Sequence, residues 1–108
     1  MYKRQTFAFA KENRAVKVSI FGMGPAVDAD AYKRVRQVFG EGVANGSLDK
    51  LVVYGYGIEG GFSSCVELGT FAETSELGRI VEALNGIKPD PKTTSYSVEA
   101  VESCPAAN

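Results

Sequence analysis

The chain has 108 residues, 44% hydrophobic and 23% charged, with a net charge of −1. That suits one globular domain (1–108) with a core of its own, and it argues against a nucleic-acid or membrane partner held by charge. With no histidine and two cysteines, the commonest general base is missing and a structural zinc site cannot be assembled, so neither metal nor cofactor is expected.

No apolar run approaches the roughly 20 residues of a membrane span. Residues 1–14 carry basic side chains but no apolar stretch of about 7–15 residues, so they do not read as a signal peptide. Cys65 and Cys104 can pair, yet the simpler reading is two free thiols in a reducing, cytoplasmic setting. Charge is uneven along the chain: residues 1–36 hold eight Lys/Arg against three Asp/Glu, and residues 37–108 hold four against ten. Complementarity within the fold or between subunits is the plain explanation, and a basic patch for an anion is the other.

Residues 3–10 alternate weakly, with Phe7 and Phe9 on one side, and are expected as an extra edge strand or an arm on a partner. Lys11 to Arg14 make a polar turn. Residues 15–21 read as a strand, with Val16, Val18 and Ile20 facing one way and Lys17, Ser19 and Phe21 the other. Gly22-Met23-Gly24-Pro25 ends it. Asp28 or Asp30 can cap the helix that follows, because a carboxylate accepts the unpaired N–H groups of a first turn. Ala31, Val35, Val38, Phe39, Gly42 and Val43 recur at helical spacing, with Lys33, Arg34 and Arg36 mostly off that face. The helix is placed at about 29–44, and Asn45-Gly46 stops it.

Residues 51–71 read as a hairpin. Leu51 to Tyr54 suit a strand, as do Phe62, Cys65, Val66, Leu68 and Phe71. The glycines between them mark the reversal, with Gly60 or Gly61 expected at positive φ. Gly55, Gly57 and Gly60 spell a formal G-x-G-x-x-G. A dinucleotide site needs a helix straight after it, and here a strand pattern follows, so the turn reading prevails. Thr74 or Ser75 is expected to cap a second helix, with Leu77, Ile80, Val81 and Leu84 buried and Asn85-Gly86 ending it. Lys88 to Lys92 form a rigid polar loop. Residues 94–101 read as the last strand, with Tyr96, Val98 and Ala100 on one face and Ser95, Ser97 and Glu99 on the other. The tail after it is expected to be loose.

The order strand, helix, strand, strand, helix, strand predicts the ferredoxin-like α+β plan over about 15–102: a four-stranded antiparallel sheet with two helices on one face. On this pattern the chain resembles the small dimeric α+β-barrel proteins. That resemblance implies a homodimer in which two sheets face each other across a cavity. It includes monooxygenases and isomerases, many of which use a histidine that this chain lacks.

The helix-covered face is expected to hold Val16, Val18, Ile20, Leu51, Val53, Val66, Leu68, Tyr96 and Val98. The helix-free face then carries Lys17, Ser19, Phe21, Val52, Tyr54, Tyr56, Ser63, Cys65, Glu67, Ser97 and Glu99, provided no bulge interrupts the hairpin. Its mixture of tyrosines, carboxylates and a thiol fits an interface or a pocket wall better than a bare solvent face. Tyr54, Tyr56, Cys65, Glu67 and Ser97 are therefore the expected lining for a small organic molecule. Glu67 and Glu99 can serve as acid or base in a dry cavity but more simply stay solvated or lysine-paired, and no catalytic residue is assigned. Cys65, with no histidine to activate it, reads as a packing residue. A structural or protein-interaction domain is the alternative. VSIFGMG at 18–24 and GFSSCVEL at 61–68 resemble the strand signatures of RNA-recognition modules only loosely and lack their stacking aromatics, so no nucleic acid is expected. A metal-transport domain of this fold is excluded by the missing C-x-x-C.

Overall fold

A computed structural model describes residues 13–23, 26–57 and 60–105. The expected extra strand at 3–10 lies outside them. The elements are β1 (Ala15–Gly22), α1 (Ala29–Ala44), β2 (Leu48–Tyr56), β3 (Gly61–Leu68), α2 (Thr74–Asn85) and β4 (Thr94–Val101). The strands form one sheet in the order β2-β3-β1-β4, and every neighbouring pair is antiparallel. Each helix carries the chain between two strands that are not neighbours, which fits the ferredoxin-like α+β plan. Among the described residues no helix is long and apolar enough to cross a membrane.

The period of two in β1 decides which face is buried. Val16 lies opposite Val66 and Ala100, Val18 opposite Ser64 and Val98, and Ile20 opposite Phe62 and Tyr96. These β1 side chains are fully buried. They share one core with Ala31, Val35 and Phe39 of α1 and with Leu77, Ile80 and Leu84 of α2. Burying a valine or isoleucine this way contributes about 1.5–3 kcal/mol each. The alternate residues, Lys17, Ser19 and Phe21, point to the helix-free side, as their period requires.

Side chains and turns fix the helix ends. Asp28 caps α1: its carboxylate accepts the Ala31 N–H at 3.2 Å and the Asp90 N–H at 3.0 Å. The Asp28 N–H in turn donates to the Thr94 hydroxyl at 2.8 Å, so one residue ties the start of α1 to the start of β4. The Ala31 and Asp90 N–H groups hold the Asp28 carboxyl below its ordinary value of 3.8. The second cap differs from expectation. Glu73 occupies it, without a side-chain hydrogen bond, and Thr74 begins the helix. The turn before α2 is held instead by Arg14, whose guanidinium donates to the Gly69 and Ala72 carbonyls at 2.8 and 3.0 Å. At the far end of α2 the Tyr96 hydroxyl donates to the Leu84 carbonyl at 2.6 Å, and burial pushes that hydroxyl up to about 12.

The hairpin turns on Gly60 and Gly61, at φ 95° and 97°. The Gly60 N–H donates to the Gly57 carbonyl, and the Gly57 N–H to the Gly61 carbonyl. β3 starts at Gly61 itself, so no helix N-terminus meets the G-x-G-x-x-G and its glycines are turn geometry.

Two outcomes follow for stability. Gly61→Ala drives a β-carbon into the Ile20 carbonyl oxygen, whereas Gly60→Ala meets the Val27 side chain at 2.8 Å. Denaturant unfolding should show a loss of about 1–2 kcal/mol for Gly60→Ala and more for Gly61→Ala, since backbone cannot move aside. NAD and ATP should bind neither variant nor the parent. For Asp28 the lowered carboxyl stabilises the fold above pH 3.8, and that part is lost as pH falls through the lower folded-state value. Asp28→Asn should therefore flatten the acid limb of a stability-versus-pH curve; an unchanged limb would assign acid sensitivity elsewhere.

Candidate functional site

β2 is not a regular strand. Its register with β3 slips between Leu48 and Lys50 and again between Val53 and Gly55. Val52 lies opposite Cys65 and Val53 opposite Ser64, but Gly55 then faces Ser63 and Tyr56 faces Phe62. Tyr54 is the extra residue of this bulge. An uninterrupted strand places Tyr54 and Tyr56 on the same face; the inserted residue separates them. Tyr54 packs with Val52 on the helix-free side. Tyr56 instead turns to the helix side and stacks on Phe62, ring centroids 6.4 Å apart. The expectation that Tyr56 lines the helix-free face is thus corrected.

The helix-free face holds its own small cluster. Cys65 and Cys104 are joined in a disulfide, Cα to Cα 5.6 Å, which corrects the reading of two free thiols. After β4 the chain turns back across the sheet. Cys104 reaches Cys65 on β3, its N–H donates to Glu67 at 2.6 Å, and the Pro105 carbonyl accepts the Tyr54 hydroxyl at 2.7 Å. Ala15 and Cys65 are sealed completely beneath, with Val52, Tyr54 and Val101 around them. The tail expected to be loose is, as far as Pro105, a strap over one end of this face.

Of the five expected lining residues, Tyr54, Cys65 and Glu67 meet under the strap. Ser97 shares their face but lies further along the sheet, in a row with Ser19, whose hydroxyl bonds that of Ser63 at 3.1 Å. Tyr56 is on the opposite side. Glu67 accepts the Cys104 N–H and lies 3.8 Å from Lys50 Nζ, and Glu99 is exposed on β4, so the two carboxylates do not form an acid–base pair. Among the described residues, both ion pairs lie within 37–108; Lys33, Arg34 and Arg36 stand exposed on α1. No group of three or more metal-ligating side chains occurs among the described residues.

The side chain displaced by the bulge lines a second place. A groove of about 660 Å³ runs between α1 and β2, walled by Tyr32, Phe39, Leu51, Val53, Tyr56 and Phe62. Phe62 is its floor, with Tyr32 edge-on at 5.5 Å and Phe39 tilted at 6.1 Å. Arg36 stands at the rim with its guanidinium carbon 5.8 Å from the Tyr32 ring centre, and it is the one charged residue among those lining the groove. Leu51, Val43 and Tyr56 are 47%, 53% and 73% exposed, unusual for apolar side chains gathered on one edge. Reading the sequence misses this groove because it needs Arg36 and Tyr32 of α1 beside Tyr56, and only the bulge brings Tyr56 there. The paired glycines around residue 55 were the available signal.

Comparison with known proteins returns no matching family model, no matching curated protein and no matching solved structure.

The strap depends on its covalent bond. The disulfide spans 39 residues, which in the chain-entropy view contributes about 3–4 kcal/mol. Without it, two hydrogen bonds of about 1 kcal/mol each must hold a segment that costs about 1–2 kcal/mol per residue to order. Cys104→Ser should leave the helix-side core folded while amide exchange at 102–104 becomes fast and the Tyr54 hydroxyl enters solvent. Slow exchange there in the variant would mean that the hydrogen bonds suffice.

Proposed function

We propose that the chain is a binding domain whose seat is the α1–β2 groove, taking the apolar or aromatic part of a ligand against Tyr56 and Phe62 and an anionic group at Arg36. The observation that carries this is the convergence of aromatic side chains at one cleft with one cation, Arg36, at its rim, which has no ion-pair partner among the described residues. Such clefts, mostly apolar with a few placed polar groups, are the usual form of a small-molecule site. A guanidinium beside an aromatic face suits a carboxylate, which it holds by charge-assisted hydrogen bonds. The small organic ligand expected from the sequence is kept, and its place moves from the helix-free face to the other side of the sheet. No reaction is proposed, because no acid and base are gathered at the groove.

The Cys65–Cys104 disulfide supports an oxidising compartment rather than the cytoplasmic one expected with free thiols. The homodimer through the helix-free face keeps one supporting feature, the half-buried Phe21 beyond the strap. Light scattering tests it, and a monomer at micromolar concentration ends that reading without touching the groove.

Phenylpropionate is a direct probe. In a titration followed by NMR it should shift signals of Leu51, Tyr56 and Phe62, while phenethylamine, with the opposite charge, should bind more weakly. Arg36→Gln should weaken phenylpropionate about tenfold, the loss of one charge-assisted contact. Equal binding of acid and amine, or shifts mapping to Ser97 and Glu67, would remove the groove from consideration.

A further inference from the structure

β2 is an edge strand: the sheet order begins with it, and among the described residues no strand pairs with its outer side. Every second backbone group along that side points away from β3 and lacks a ladder partner. Edges of this kind are usually blunted, and here the bulges at both ends do so. Between them, Lys50, Leu51, Val52 and Val53 keep an unbroken register with Glu67, Val66, Cys65 and Ser64. A short regular edge is therefore presented, and the apolar groove runs directly beside it.

We propose that the groove's ligand is an extended peptide carrying an acidic residue, which adds to the outer side of β2 over about residues 50–53 and sets alternate side chains into the groove. This rests on the binding reading of the groove and names its ligand class. Strand addition supplies affinity through main-chain hydrogen bonds, and pockets for alternate side chains supply choice. Both halves are present. Leu51 and Val53 share the helix-side face of β2, so residues two apart on an added strand fall beside them, with Tyr56 next along. Arg36 favours a partner with an acid. A second copy of this chain complements Arg36 less well, because the one acid its own β2 brings, Asp49, is followed directly by Lys50 and comes with another Arg36.

The experiment uses the full chain, isotopically labelled, and an acetylated and amidated peptide that alternates valine and threonine and ends in glutamate. Companion peptides carry lysine for the glutamate, or N-methyl groups at alternate backbone nitrogens. The parent peptide should shift the amides of residues 50–53 and slow the exchange of those that point away from β3. The lysine peptide should bind about tenfold more weakly, and so should the N-methylated one, which cannot donate to the β2 carbonyls. An N-methylated peptide that binds as well as the parent overturns strand addition. So does a parent peptide that fails while phenylpropionate still binds, and that result leaves the groove itself standing. If neither binds, both readings fall together. If the 50–53 amides that point away from β3 exchange slowly before any peptide is added, the proposal is overturned, in favour of a second copy where light scattering shows a dimer and of the chain's own 3–10 strand where it shows a monomer.

Discussion

One extra residue in β2 decides what both faces of the sheet look like. Strand pairing alternates sides with a period of two, so an insertion at Tyr54 moves every later side chain to the opposite face. With it, Tyr54 stays on the helix-free side and bonds the Pro105 carbonyl, while Tyr56 crosses over to stack on Phe62. Without it, the strap and the groove would compete for the same two tyrosines. Gly55 follows the inserted residue directly, and nothing lies within 4 Å of where its β-carbon would be, whereas a β-carbon at Gly57 would meet the Phe21 ring.

The helix-side core depends on a different constraint, and the two are nearly independent. Val16, Val18 and Ile20 sit on a strand paired on both sides, with a helix-borne apolar stripe above them. Only local period is needed to specify that arrangement. Nothing at the edge of the sheet disturbs it, which leaves β2 free to carry irregular geometry and exposed aromatics.

This division explains what was legible in the sequence. The run 15–21, the helix at 29–44 and the strand at 94–101 announce themselves by period, and the structure places them at Ala15–Gly22, Ala29–Ala44 and Thr94–Val101. Asp28 as a cap was readable because its chemistry is local. The cap of α2 was not, since Thr74 and Ser75 satisfy the same pattern while Arg14, sixty residues earlier, holds the turn in their place. The face of Tyr56 was hidden because glycines permit a bulge without stating where it falls. The Cys65–Cys104 bond was hidden because its closure depends on a reversal of the chain after Val101 that no period announces. Of the expected lining residues, Tyr54, Cys65 and Glu67 do come together, but around the chain's own tail.

The strap also sets how the molecule bears load. Among the described residues β4 is an edge strand held to the sheet by β1 alone, and a pull on its C-terminal end would ordinarily peel it away one hydrogen bond at a time. Because Cys104 is bonded to Cys65, tension applied beyond residue 105 bypasses β4 and enters the sheet at β3. β3 is paired on both sides, so its ladders must yield together rather than in sequence. The weak edge is thereby taken out of the force path, and a tether at the C-terminal side loads a strand paired on both sides, as one at the start of β1 does.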